Sequence, residues 1–79
     1  MTRDEIYERL NAVFQDIFDN PEIRVCDETT AKDVPGWDSL SHISLLSAIE
    51  DEFEIEFSMG ETVNLKNVGQ MVDIIEREA

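Results

Sequence analysis

WDSLSHISLLSAIEDEFEIEF, residues 37–57, decides how the rest of the chain is read. Asp38 suits a helix N-cap, because its carboxylate can accept from the free amides of the first turn, and Ser39 would cap almost as well. Either way Ser39 stands at a helix start. From there His42, Leu45, Leu46, Ile49 and Phe53 recur at spacings of three and four, which puts them on one face that must be buried. Leu40, Ser44, Ser47, Asp51 and Glu54 recur at the same spacings on a second face that looks outward, with Ile43 and Glu50 along its edge. A serine hydroxyl at a helix N-terminus also suits a phosphodiester, since unpaired amides and the positive end of the dipole favour an anion.

N-terminal to this stretch, Thr2 and Glu5 have the spacing of a capping box. Ile6, Leu10, Val13, Phe14 and Ile17 form an apolar stripe, predicting a first helix from Arg3 to Phe18 that ends before Asn20-Pro21. The connection from Asp19 to Trp37 is long for a compact domain, so Ile23, Val25 and Val34 are expected to staple it to the core. Pro35-Gly36 marks a turn in which glycine takes any positive φ. Trp37 either packs inward or lies exposed beside Ser39, and packing is the favoured reading.

C-terminal to the central helix, Ile55 and Phe57 alternate with acids. A strand would have no partner there, so an extended link with Phe57 turned inward is expected. Ser58 and Glu61 predict a short helix from Met59 to Asn64. Asn67 and Gln70 then start a last helix from Val68 to Arg77 that buries Val68, Met71, Val72 and Ile75. The fold class is all-α: a small four-helix bundle, three main helices and one short one, with a long loop between the first and second, forming one domain over residues 1–79.

Composition narrows the function classes. Nineteen acids against six bases give a net charge of -13, which repels nucleic acid and anionic membranes and favours proteins with basic patches. With 42 % hydrophobic residues the chain can still form a core. A chain this size buries only about 60 % of its unfolded surface, too little to enclose a large active site. The single cysteine, Cys26, forbids an internal disulfide. The absence of a signal peptide and of a long apolar run leads us to expect a soluble cytoplasmic protein, and a monomer is expected.

The Asp38-Ser39-Leu40 triplet at a helix start, after a long loop, in an acidic chain of this length, resembles the modification site of acyl carrier proteins. The resemblance spans nearly the whole chain, although the triplet itself is short. It implies that Ser39 carries a covalent 4'-phosphopantetheine arm, transferred from coenzyme A by a phosphopantetheinyl transferase, with Asp38 as the flanking acid. It implies a carrier, not an enzyme, that holds acyl groups as thioesters and presents them to acyl-transferring or acyl-processing enzymes in fatty acid or polyketide biosynthesis. Leu40, Ser44, Ser47, Glu50, Asp51 and Glu54 would then face partners. An acyl chain would be sheltered between the central and last helices by Leu45, Leu46, Ile49, Phe57, Val63, Val68 and Met71, with burial worth about 0.8 kcal/mol per CH₂.

The departures from the family pattern point to a specialised member. Ser41, Ser44 and Ser47 stand where carriers of fatty acid synthesis commonly show acids or a large apolar residue, so the negative field is concentrated at Glu50, Asp51, Glu52, Glu54 and Glu56. Two alternatives stay open: an aminoacyl or peptidyl carrier on the same fold, which more often has a glycine-rich and less acidic approach to its serine, and an unmodified acidic helical adaptor. Asp38, Ser39 and His42 do not make a hydrolase triad, because Asp38 adjoins the serine it would serve and no second segment supplies an oxyanion hole. His42 is expected at the mouth of the core. No sequence pattern for a metal site is present. Self-repulsion among the acids predicts that salt raises the melting temperature, and that magnesium raises it further than a matched ionic strength of sodium chloride. Thermal melts in the two salts check this.

Overall fold

The computed structural model describes residues 1–63 and 65–79, with the side chains of all of these except Met59 and Val63. Four helices are present: α1 (Arg3–Ile17), α2 (Ser39–Phe53), α3 (Met59–Val63) and α4 (Val68–Glu78), with a 3₁₀ turn at Ala31–Asp33 and no strand among the described residues. The Asn64 end expected for α3 lies outside the described residues. The chain is the expected small helical bundle, in which α1 packs on both α2 and α4.

Each main helix starts as its sequence dictates. Thr2 Oγ1 accepts from the Glu5 amide at 3.2 Å while a Glu5 carboxylate oxygen accepts from the Thr2 amide at 3.2 Å, closing the capping box on α1. Asn67 Oδ1 caps α4 by accepting from the Gln70 amide at 2.9 Å. The Gln70 side chain reaches one residue further back than a capping box requires and accepts from the Lys66 amide at 2.8 Å. From these starts the apolar stripes converge on a continuous core that includes Ile6, Leu10 and Phe14 of α1, Leu45 and Ile49 of α2, and Val68, Val72 and Ile75 of α4.

The long connection is held by side chains of the first helix. Ile23, Val25 and Val34 are buried, as expected. Asn11 and Gln15, one helical turn apart on α1, complete the backbone hydrogen bonding there: Asn11 Oδ1 accepts from the Val25 amide at 2.6 Å and Gln15 Nε2 donates to the Ile23 carbonyl at 3.0 Å. Buried loop amides and carbonyls must find such partners. The turn at Pro35-Gly36 closes through a bond from the Trp37 amide to the Val34 carbonyl at 3.1 Å, and Gly36 takes φ +90°. This is the positive φ that the second central position of such a turn demands.

The link after α2 differs in one respect from expectation. Glu54 adopts the left-handed conformation at φ 55°, and the Ile55 amide returns to the Glu50 carbonyl at 3.1 Å. That reversal brings Ile55 into the core, whereas Phe57, expected to be the inward residue, is only half-buried. The Phe57 amide is tied to a Glu50 carboxylate oxygen at 2.9 Å.

Backbone hydrogen bonds join the start of α4 to the long connection. The Val68 amide donates to the Thr29 carbonyl at 2.8 Å and the Gly69 amide to the Asp27 carbonyl at 3.0 Å. Around this junction Arg3 of α1 pairs with Asp27 at 2.9 Å, with Asp73 at 3.0 Å and with Glu76, and Tyr7 donates its hydroxyl to Asp27. The Tyr7 and Arg3 hydrogen bonds hold the Asp27 carboxyl below the usual carboxylate range.

Gly69 is there because nothing larger fits: a Cβ at that position would lie 2.9 Å from the Asp27 carbonyl oxygen and 3.1 Å from its Cα. On an open helix, glycine to alanine would stabilise by about 0.8–1.0 kcal/mol. Here Gly69→Ala is expected to destabilise by about 1–3 kcal/mol as the loop is pushed away, read as a lower urea midpoint at unchanged slope. The Asp27 carboxyl, depressed in the folded state, stabilises above its unfolded value and loses that contribution as pH falls through its folded value. The melting-temperature gap between wild type and Asp27→Asn is therefore expected to be open at pH 7 and to close in acid.

Candidate functional site

Asp38 is the N-cap of α2. Its carboxylate accepts from the amides of Leu40 at 3.0 Å and Ser41 at 2.9 Å, and the Ser41 bonds, ahead of that from Leu40, keep its carboxyl below the ordinary aspartate range. Ser41 completes the box: its Oγ accepts from the Asp38 amide and donates to the Gly36 carbonyl, both at 2.8 Å. The local sequence thus divides the labour between two serines. Ser41 is locked into the helix start, whereas Ser39, the first helical residue, is exposed and its hydroxyl has no hydrogen-bond partner among the described residues. The carboxylate cap also consumes two of the amides expected to attract an anion, which leaves the Ser39 amide as the first-turn donor still available.

Along the outward face, Leu40 is 80 % exposed and Ile43 68 % exposed, so two neighbouring apolar side chains stand in water one turn from each other. Ser44, Ser47, Asp51 and Glu54 are exposed as well, and Glu50 is half-buried where it holds the Phe57 amide. These residues lie on the face that the periodicity of α2 assigned to them.

The residues expected to shelter an acyl chain lie in or against the core where they are described. Leu45, Ile49, Val68 and Met71 are buried in the core, Leu46 and Phe57 are half-buried against it, and the Val63 side chain lies outside the described residues. An open cleft of about 340 Å³ lies beside Ser39, lined by Trp37, His42, Leu65, Lys66 and Met71 among others. Among the described residues, Met71 is the member of the expected lining that borders it.

Trp37 both packs and borders this cleft. Its ring meets Phe14 edge-on at 5.3 Å and Phe18 at 6.4 Å, and its Nε1–H donates to His42 Nδ1 at 3.0 Å, with the two rings stacked at 5.9 Å. His42 sits at the mouth of the core as expected, but its Nδ1 is engaged by the indole and not by Asp38, whose carboxylate caps the helix. No relay from Asp38 through His42 to Ser39 exists. The Trp37–His42 bond and the place of Lys66 on the same cleft as Ser39 carry no periodic signal, because both relate residues across a cap or across α3. Among the described residues no group of three or more side chains is placed to hold a metal ion, and no helix is long and apolar enough to cross a membrane.

An exposed, unengaged serine hydroxyl thus stands at the start of α2, and the chain as a whole is similar to known proteins. Residues 8–75 match the family model described as "Phosphopantetheine attachment site". The acyl carrier protein of Saccharopolyspora erythraea is 28 % identical over 74 residues, covering 94 % of this chain and 78 % of that protein. That of Buchnera aphidicola is 29 % identical over 73 residues, covering 92 % and 91 %. The solution structure of holo acyl carrier protein from Geobacter metallireducens superposes with a TM-score of 0.85 at 38 % identity, over 91 % of this chain and 83 % of that one. These matches set aside the unmodified adaptor, and the chain belongs to the phosphopantetheine-attachment family of acyl carrier proteins.

Proposed function

We propose that Ser39 is the residue that carries the 4'-phosphopantetheine arm. The observation that supports this most directly is the contrast between Ser39, exposed and with its hydroxyl unengaged, and Ser41, two residues on, whose hydroxyl is held by Asp38 and Gly36. The site fits the group: the hydroxyl is accessible to a transferase, the cleft beside it has room, and Lys66 at its border brings a cation toward a phosphodiester. On attachment, Ser39 Oγ bonds to the phosphorus of coenzyme A nearest the pantetheine, the hydroxyl proton goes to base, and adenosine 3',5'-bisphosphate leaves. The arm, when bound, supplies a terminal thiol on which an acyl group is held as a thioester. The chain's own part is to hold Ser39 rigidly at the start of α2, to keep Asp38 ionised as the cap, and to offer a surface that partner enzymes recognise.

That surface supports a specific kind of partner. Leu40 and Ile43 are apolar projections next to Ser39, while the exposed acids Asp51, Glu54 and Glu56 lie toward the other end of α2. At about 1.5 Å per residue, Asp51 is roughly 18 Å along the helix from Ser39. We read this as a fit to acyl-processing enzymes that place an apolar depression at the mouth of the active site and a basic patch about one helix length away. The high negative charge supports a protein that works as a monomer, since copies repel one another. The exposed free thiol of Cys26 is in keeping with the reducing cytoplasm. Residues 1–79 would act there as one carrier domain.

Incubation with coenzyme A, magnesium and a permissive phosphopantetheinyl transferase is expected to add one phosphopantetheinyl group to the wild type and none to Ser39→Ala, by intact mass. Labelling of the alanine variant would move the site elsewhere. For the partner surface, Asp51→Lys with Glu54→Lys is expected to slow association with a cognate acyl-transferring enzyme by about tenfold or more at low salt, with the difference shrinking as salt is added. Stopped-flow association rates over a salt series measure it.

A further inference from the structure

The cleft beside Ser39 contains side chains that attachment alone does not need. We propose that His42 and Lys66, with Trp37 and Met71 as an apolar floor, form a seat for the first part of the phosphopantetheine arm, so that the arm leaves Ser39 along the cleft toward α4. This rests on the reading of Ser39 as the attachment residue.

The Trp37 indole can only donate a hydrogen bond. Since Trp37 Nε1–H meets His42 Nδ1 at 3.0 Å, that nitrogen must accept, and the imidazole is the neutral form with its proton on Nε2. Nε2–H is thereby the donor His42 has left, on a ring that borders the cleft. The phosphodiester needs such partners here. The Leu40 and Ser41 amides, which would ordinarily greet an anion at a helix start, are committed to the Asp38 carboxylate, and that carboxylate also borders the cleft and repels a phosphate. Lys66 supplies the opposing charge. The ion pairs among the described residues commit Arg3, Arg9 and Arg77 and leave Lys66 unpaired, and a lysine ammonium suits a phosphate as a point charge.

The apolar part follows from the chemistry of the arm, whose segment next to the phosphate carries two methyl groups. Trp37 and Met71 offer those methyls a surface, and the indole is held in place by Phe14, Phe18 and His42 before anything binds, which lowers the cost of ordering on binding. At about 340 Å³ the cleft is near the lower end of the roughly 300–1,000 Å³ typical of small-molecule sites. It takes the inner segment of the arm and leaves the thiol outside for transfer.

The test uses isotopically labelled protein loaded from coenzyme A, with the gain of one group first verified by intact mass. Comparison of unloaded and loaded NMR spectra is expected to show shifts of the Trp37 indole N–H and the His42 ring, with nuclear Overhauser contacts from the arm's methyl protons to the Trp37 ring and the Met71 methyl. In Lys66→Gln and His42→Leu, each loaded to the same mass, those contacts are expected to fall several-fold while the α1 resonances stay in place. Loaded wild type showing neither shifts nor contacts overturns the seat and leaves the attachment residue standing, and that spectrum decides even where a variant fails to fold. Contacts undiminished in both variants overturn the assignment of His42 and Lys66. No gain of mass in the wild type overturns the attachment reading itself.

Discussion

Two backbone hydrogen bonds, from the amides of Val68 and Gly69 to the carbonyls of Thr29 and Asp27, hold the long connection against the start of α4. The region around Ser39 takes its form from them. The cleft has Ala31 on the connection among its borders and Leu65, Lys66 and Asn67 before α4 as another part, so its walls come from segments far apart in sequence. The close approach demands a glycine, and Gly69 meets it. Arg3 and Tyr7 of α1 then gather on Asp27 at the same junction, which makes the first helix a brace for a contact to which it contributes no backbone.

Charge is distributed with the same economy. Against a net charge of -13, the arginines Arg3, Arg9 and Arg77 are committed to ion pairs that tie α1 to the connection and to α4, α1 to α2, and α3 to α4. Such exposed pairs individually contribute little. Arg9 adds contact area by lying over the Phe53 ring at 4.9 Å. The acids outside these pairs include Asp51, Glu54 and Glu56, exposed at and just beyond the end of α2.

Much of this was legible in the chain itself. Helical periodicity located α1, α2 and α4, and the capping pairs Thr2/Glu5 and Asn67/Gln70 marked the starts of α1 and α4 within a residue, because both signals are local. Asp38 outcompeted Ser39 for the cap because Ser41 stood at the right spacing to complete a box. What the sequence could not show was set by contacts between distant segments. Ile55 rather than Phe57 turned fully inward because Glu54 took a left-handed conformation, which no propensity of glutamate announces. The Trp37–His42 bond and the position of Lys66 depend on how the connection and the segment before α4 fold over α2. The cleft beside Ser39 was invisible for that reason, while the core residues of α2 and α4 were easy to name.

The placement of Trp37 also has an optical consequence. It is the chain's single tryptophan, so ultraviolet-excited emission from the folded protein is dominated by one indole, and that indole stands at the rim of the cleft with an imidazole stacked on it. An indole hydrogen-bonded to a neutral imidazole and half shielded from water reports on both. Its emission wavelength follows the wetting of the cleft, and its intensity follows the contact with the stacked His42 ring. The molecule carries its own fluorescent probe at the place where attachment, docking and release of cargo would be felt.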